Sequence, residues 1–187
     1  MTTASQESIG ERLAELVEHE ERLDGLVATL SGPAEALIAS PARRSVLLGR
    51  QLGHAVHPIL TDVPVGMWMS TWALDVLPVP GSRRAAQRLV GLGALAAFPT
   101  ALTGWAEWAR VKEREDRRTG VVHAGANAAA LVLFTGSWLA RRSGRQGTGV
   151  VLGQLGTAAV AAGGFLGGHL AIGRKVGSSV SEEGYQP

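Results

Sequence analysis

Few residues in this chain are able to do chemistry. There are five histidines and no cysteine, so a bound metal would have to be held by imidazole and carboxylate groups rather than thiolates. His57, His123 and His169 are the candidate ligands, joined by Glu107. Three imidazoles and a carboxylate can close the first shell of zinc, iron or copper, and two imidazoles on facing helices can grip the iron of a b-type haem from both sides. Asn127 lies one helical turn beyond His123 and on the same face, so it is placed to orient that ring; His54 and Asp62 are the corresponding candidates beside His57. The same histidines could instead bond to helix carbonyls, lipid headgroups or one another, because no compact ligand motif such as H-E-x-x-H is present. No nucleophile is paired with a base. The glycines from Gly163 to Gly168 do not form a phosphate loop, since no strand precedes them and no G-K-[ST] follows.

The elements that must position these residues are apolar helices. The mean hydropathy is +0.12, and 45% of residues are hydrophobic against 18% charged. From Leu89 to Ala106 and from Gly147 to Leu166 there is no ionisable side chain, and Val121 to Ala140 is interrupted only by His123. A helix rises about 1.5 Å per residue, so roughly 20 such residues cross a hydrocarbon core of about 30 Å. Pro58 to Leu77 is a weaker fourth segment, because it holds Asp62 and Asp75. The pattern predicts an all-α integral membrane protein, a four-helix antiparallel bundle with spans at about 58–77, 89–108, 121–140 and 149–172 inside a domain of residues 51–175. Antiparallel order brings the start of the first span, the end of the second, the start of the third and the end of the fourth to one side. Those are the ends that carry His54, His57, Glu107, His123 and His169.

Residues 1–50 read differently. Ile9, Leu13, Leu16, Leu23, Leu26, Val27 and Leu30 recur at near-helical spacing among glutamates and arginines, which predicts one amphipathic helix ending at Ser31, Gly32 and Pro33, in water or on the headgroups. A short interfacial helix broken at Pro41 follows, and residues 176–187 form a tail. The polar, acidic N-terminus does not read as a secretory signal. Arginines and lysines before the first span, between the second and third and after the fourth outnumber those in the other two connections, which places both termini in the cytoplasm. The charge of +2 needs no nucleic-acid partner, and no binding motif for one is present. In the last span Gly163 and Gly167, and Gly164 and Gly168, are spaced for close helix contact, with Gly164 and Gly168 expected against a neighbouring helix. Trp105, Trp108 and Trp138 suit an interfacial aromatic belt, Trp68 and Trp72 the core, and Asp75 a solvated ion pair with Arg83 and Arg84. Nothing in four spans suggests the inverted repeat of a transporter.

The stretch Leu52-Gly53-His54-Ala55-Val56-His57-Pro58-Ile59-Leu60-Thr61-Asp62-Val63-Pro64-Val65-Gly66 resembles the opening signature of an uncharacterised four-helix bacterial membrane family, L-G-H-P-L-H-P-x-L-T-D-x-P-x-G. Thr103-Gly104-Trp105-Ala106-Glu107-Trp108, Gly120-Val121-Val122-His123-Ala124-Gly125-Ala126-Asn127 and Gly163-Gly164-Phe165-Leu166-Gly167-Gly168-His169-Leu170 are similar to its later blocks. Ala55 stands where that pattern has proline, and Glu107 where aspartate is common. Some actinobacterial members continue into a Rieske-type iron–sulfur domain, whose cysteine ligands this chain lacks. The resemblance implies a redox neighbourhood, with His57, Glu107, His123 and His169 as the positions carried over. The resulting expectation is a multi-pass protein of the bacterial inner membrane, holding a transition metal or b-type haem near its cytoplasmic face. It would work beside an iron–sulfur or other electron-transfer protein, alone or as a homo-oligomer. The alternative is a cofactor-free structural membrane protein or assembly factor.

Overall fold

A computed structural model describes residues 8–77 and 79–176, and the described residues are helical apart from short connections. Three short helices come first: α1 (Ile9–Glu18), α2 (Asp24–Ile38) and α3 (Pro41–Leu47). Four long ones follow: α4 (Val56–Val76), α5 (Ser82–Trp108), α6 (Arg114–Arg142) and α7 (Gln146–Gly168), the last continued by a π-helical turn at His169–Gly173. Gly81 and Gly144, both at positive φ, make the tight links α4–α5 and α6–α7. α5 and α6 are longer than the uncharged runs that predicted them. Their charged ends stay helical because backbone bonding continues past the point where side chains turn polar.

The α5, α6 and α7 helices, the last with its π turn, are long and apolar enough to cross a membrane. α4 has 21 residues, about 31 Å at 1.5 Å per residue, but Asp62 and Asp75 lower its apolar character. The outward surface is apolar: Leu95, Phe98, Val132 and Val151 are each more than half exposed. The interior holds Thr71, Thr100, Thr103, Ser137 and Arg141. Apolar outside with polar groups bonded inside is the arrangement a lipid solvent selects.

α4 packs closely on α5 and α6 on α7, with lesser contacts between α5 and α6 and between α4 and α7. The four helices therefore run in cyclic order, and α4 and α6 are diagonal partners that meet through long side chains. Trp68 stacks on Phe134 at 4.3 Å between ring centroids, and Arg141 binds Asp75. These contacts expose an internal repeat. His57, Thr61, Trp68, Thr71, Trp72 and Asp75 of α4 match His123, Asn127, Phe134, Ser137, Trp138 and Arg141 of α6 at a constant offset of 66 residues. Gly93, Ala97, Thr100 and Gly104 of α5 match Gly156, Val160, Gly163 and Gly167 of α7, again at one constant offset. Each hairpin uses its glycines alike: Gly93 lies under the Trp68 ring, Gly156 under Phe134.

Four expectations are corrected. The N-terminal amphipathic helix is two helices, broken at Glu20 where a 3-10 turn (Glu21–Leu23) intervenes, and α2 runs through Ser31, Gly32 and Pro33 instead of ending there. Ser31 and Thr29 spend their hydroxyls on carbonyls one turn back, so the local polar groups do not stop the helix. In α7 the contact face is Gly163 and Gly167, whereas Gly164 and Gly168 have no neighbour within 4 Å of an added Cβ; the two registers differ by one residue, about 100° around a helix. Asp75 pairs with Arg141 rather than with Arg83 and Arg84, and the pair is buried. Trp108 is buried, bonding its indole nitrogen to the Arg117 carbonyl at 3.0 Å beneath the Arg117 guanidinium, so it does not belong to an exposed belt. Of the segments read from sequence, residues 1–7, Pro78 and 177–187 lie outside the described residues.

Candidate paired-imidazole site

His57 lies in the first turn of α4. The N-cap residue Ala55 gives that helix no side-chain cap, so its first amides need partners from elsewhere. The Glu107 carboxylate, in the last turn of α5, faces the His57 backbone amide, where the positive end of the helix dipole favours a negative group. Its Oε1 is buried without a hydrogen-bond partner. The His57 ring crosses to α5: Nδ1 lies 3.0 Å from the Thr100 carbonyl and 3.3 Å from the Thr103 hydroxyl. A Cβ added at Gly104 would lie 2.8 Å from the ring, so only glycine lets it sit so close. Pro64 contributes indirectly. Its missing N–H leaves the Leu60 carbonyl without its helical donor, and Thr100 Oγ1 donates to that carbonyl at 3.1 Å.

His123 repeats this arrangement on the other hairpin. Its Nδ1 lies 2.8 Å from the Gly163 carbonyl on α7, and a Cβ at Gly167 would lie 2.8 Å from the ring. A carbonyl only accepts, so in both rings Nδ1 is the protonated nitrogen and Nε2 carries the lone pair. Asn127 donates to the His123 carbonyl at 3.0 Å and reaches its Nε2 at 3.1 Å. Thr61, at the equivalent place on α4, bonds the His57 carbonyl at 2.9 Å and leaves that Nε2 alone.

The remaining predicted residues lie elsewhere. His169, in the π turn, bonds Glu18 of α1 at 2.7 Å. His54 is exposed and bonds the Leu52 carbonyl at 3.1 Å, and Asp62 is exposed on the outer side of α4. Among the described residues no three histidine, aspartate and glutamate side chains form a group able to hold a metal ion. A single shell of His57, Glu107, His123 and His169 is therefore not assembled. Sequence reasoning missed Glu18, which claims His169, and it missed the supporting Thr100, Thr103, Gly104 and Gly167. The two constant offsets were the signal for the supporting residues, since the α4–α6 offset aligns His57 with His123 and the α5–α7 offset aligns Thr100 with Gly163 and Gly104 with Gly167; Glu18 lies outside the repeat.

Beside the site, α6 begins among charges that dock the N-terminal helices. Arg118 holds both carboxylate oxygens of Asp24, at 2.7 and 2.8 Å. This hydrogen-bonded guanidinium keeps the Asp24 carboxyl below its ordinary value. Arg174 binds Asp116 at 2.6 Å, and Arg117 bonds the Ser31 hydroxyl at 2.6 Å.

No curated protein and no solved structure matches the chain. Residues 53–180, which include all four long helices and both imidazoles, match the model of a family described as a predicted membrane protein, and the chain belongs to that family, DUF2231.

Proposed function

We propose that this chain crosses the bacterial inner membrane four times, with α4 as the fourth span and both termini in the cytoplasm. In this reading His57 and His123 hold a b-type haem or a transition ion at the cytoplasmic end, beside an iron–sulfur or other electron-transfer protein. The observation that supports it is the equivalence of the two rings. Each comes from the first helix of a hairpin, each gives Nδ1–H to a carbonyl of the second, and each rests on a glycine. That makes Nε2 of each ring the potential ligand atom, as in metal-bound histidines whose other ring nitrogen is fixed by a carbonyl, with the Asn127 amide turning away from His123 Nε2 when a ligand binds there. Two imidazoles are taken as the ligands because, among the described residues, no three or more histidine, aspartate and glutamate side chains form a group able to hold a metal ion. The buried, unpartnered Glu107 Oε1 adds a carboxylate on the His57 side. When bound, such a group would supply one-electron chemistry. The protein's own part is to fix ring orientation through Thr100 and Gly163 and to shield the site with apolar helices.

The test is the visible spectrum and elemental content of protein purified from cells supplied with iron and haem. A Soret band or a stoichiometric metal, lost in both His57→Ala and His123→Ala and retained in His19→Ala, supports the proposal. A colourless, metal-free protein that stays folded refutes it. A second reading rests on the Asn127 contact to His123 Nε2 and on the Glu18 bond to His169. In that reading the histidines only tie helices together, and the chain is a cofactor-free structural or assembly protein.

A further inference from the structure

We infer that α1 is an interfacial membrane anchor, with Ile9, Leu13 and Leu16 immersed in the lipid of the same bilayer that the long helices cross. A helix that docks on a protein normally buries its large apolar residues. α1 does the reverse. Its inner face is Gly10, Ala14 and Glu18, with Ala14 1% and Glu18 8% exposed, while Ile9, Leu13 and Leu16 are 79%, 53% and 69% exposed. At about 100° per residue, these three share one flank of the contact, and Glu11 and Glu15 lie on the opposite flank. One side of the docked helix is thus apolar and the other charged, which lets it lie at a membrane border with its apolar side in lipid.

The depth of α1 points to lipid as the occupant. Glu18 at its C-terminal end bonds His169, whereas Gly10 near its start packs on the Phe165 ring, 2.9 Å from where a Cβ would stand. Phe165 is one turn before His169, about 6 Å further into the membrane-crossing helix, and its ring is on the outward side, 44% exposed. The start of α1 therefore dips along the lipid-facing surface of α7, and its apolar flank continues that surface. The ends are fixed locally: the capping box of Ser8 and Glu11 starts the helix, and Arg118 binds the Glu18 carbonyl at 2.9 Å.

The chain has no cysteine, so single nitroxide labels can be placed without background. Leu13→Cys, Leu16→Cys and Glu15→Cys are labelled in full-length protein reconstituted in phosphatidylcholine–phosphatidylglycerol vesicles. Collision with oxygen, which concentrates in lipid, is compared with collision with a water-soluble nickel chelate. Positions 13 and 16 should favour oxygen at least threefold relative to position 15. Equal nickel access at all three would put the flank in water and overturn the inference. Low access to both reagents at 13 and 16 would mean protein covers them, which also overturns it. The labels sit on exposed positions, and either leucine alone decides the outcome.

Discussion

Replacing Asp75 by asparagine should be among the most damaging single changes in the chain. Asp75 and Arg141 have side-chain exposures of 4% and 0%, and they share two bonds at 3.0 and 2.5 Å. Taking away the carboxylate charge leaves a guanidinium buried among helices with neutral acceptors in place of an anion: the asparagine amide oxygen, Ser137 Oγ at 3.1 Å and the Gly149 carbonyl at 3.4 Å. Breaking a buried pair on one side costs about 3–5 kcal/mol, and the neutral acceptors that remain place this case at about 3. Removing both charges should cost far less, because the desolvation penalty disappears with the pair; Asp75→Leu with Arg141→Met is expected within about 1 kcal/mol of the parent. The repeat adds a sharper test, since Asp75 and Arg141 occupy equivalent positions. A Cβ at Gly149 would lie 2.5 Å from Arg141 Cγ, and the equivalent residue on α5 is Ala86, which is fully buried. Exchanging the charges as Asp75→Arg with Arg141→Asp should therefore fail alone and recover with Ala86→Gly. Unfolding in detergent micelles, followed by circular dichroism as a double-mutant cycle, measures all of this. A loss below about 1 kcal/mol for Asp75→Asn, or a coupling near zero, would refute the reasoning.

Gly167→Leu should drive a side chain into the His123 ring and destabilise the protein by about 1–3 kcal/mol, whereas Gly164→Leu should leave the melting temperature nearly unchanged. Because the folded-state value of Asp24 is depressed, its contribution to docking α2 on α6 is complete above the ordinary value of 3.8 and is lost as pH falls through the lower folded value. Hydrogen exchange of α2 amides should rise in that acid window, and Asp24→Asn should abolish the pH dependence. Arg117→Ala removes the cation–π contact to Trp108 and the bond to Ser31, which should cost about 1–2 kcal/mol and raise the tryptophan emission wavelength.

Composition and spacing by themselves determined that this chain is helical and apolar, where the long helices run, and that its histidines collect at one end. Those follow from local physics: uncharged runs of membrane length can satisfy their backbone only as helices, and the polarity of each run's ends is written in the sequence. The contact of Asn127 with His123 was legible for the same reason, because residues one turn apart share a face. Partner choice was not. Whether Gly163 or Gly164 meets α6 depends on a rotation of about 100°, which helix packing sets and glycine spacing cannot. Sequence reasoning assigned Asp75 to Arg83 and Arg84, and only the diagonal meeting of α4 and α6 selects Arg141. His169 was assigned to the interior because α7 ends near the other histidines, yet the π turn and the buried Glu18 of a distant helix draw it away. The likeness of His57 to His123 depended on both levels. The sequence carries the repeat, but its meaning appears only when each ring is seen bonding a carbonyl of its own hairpin.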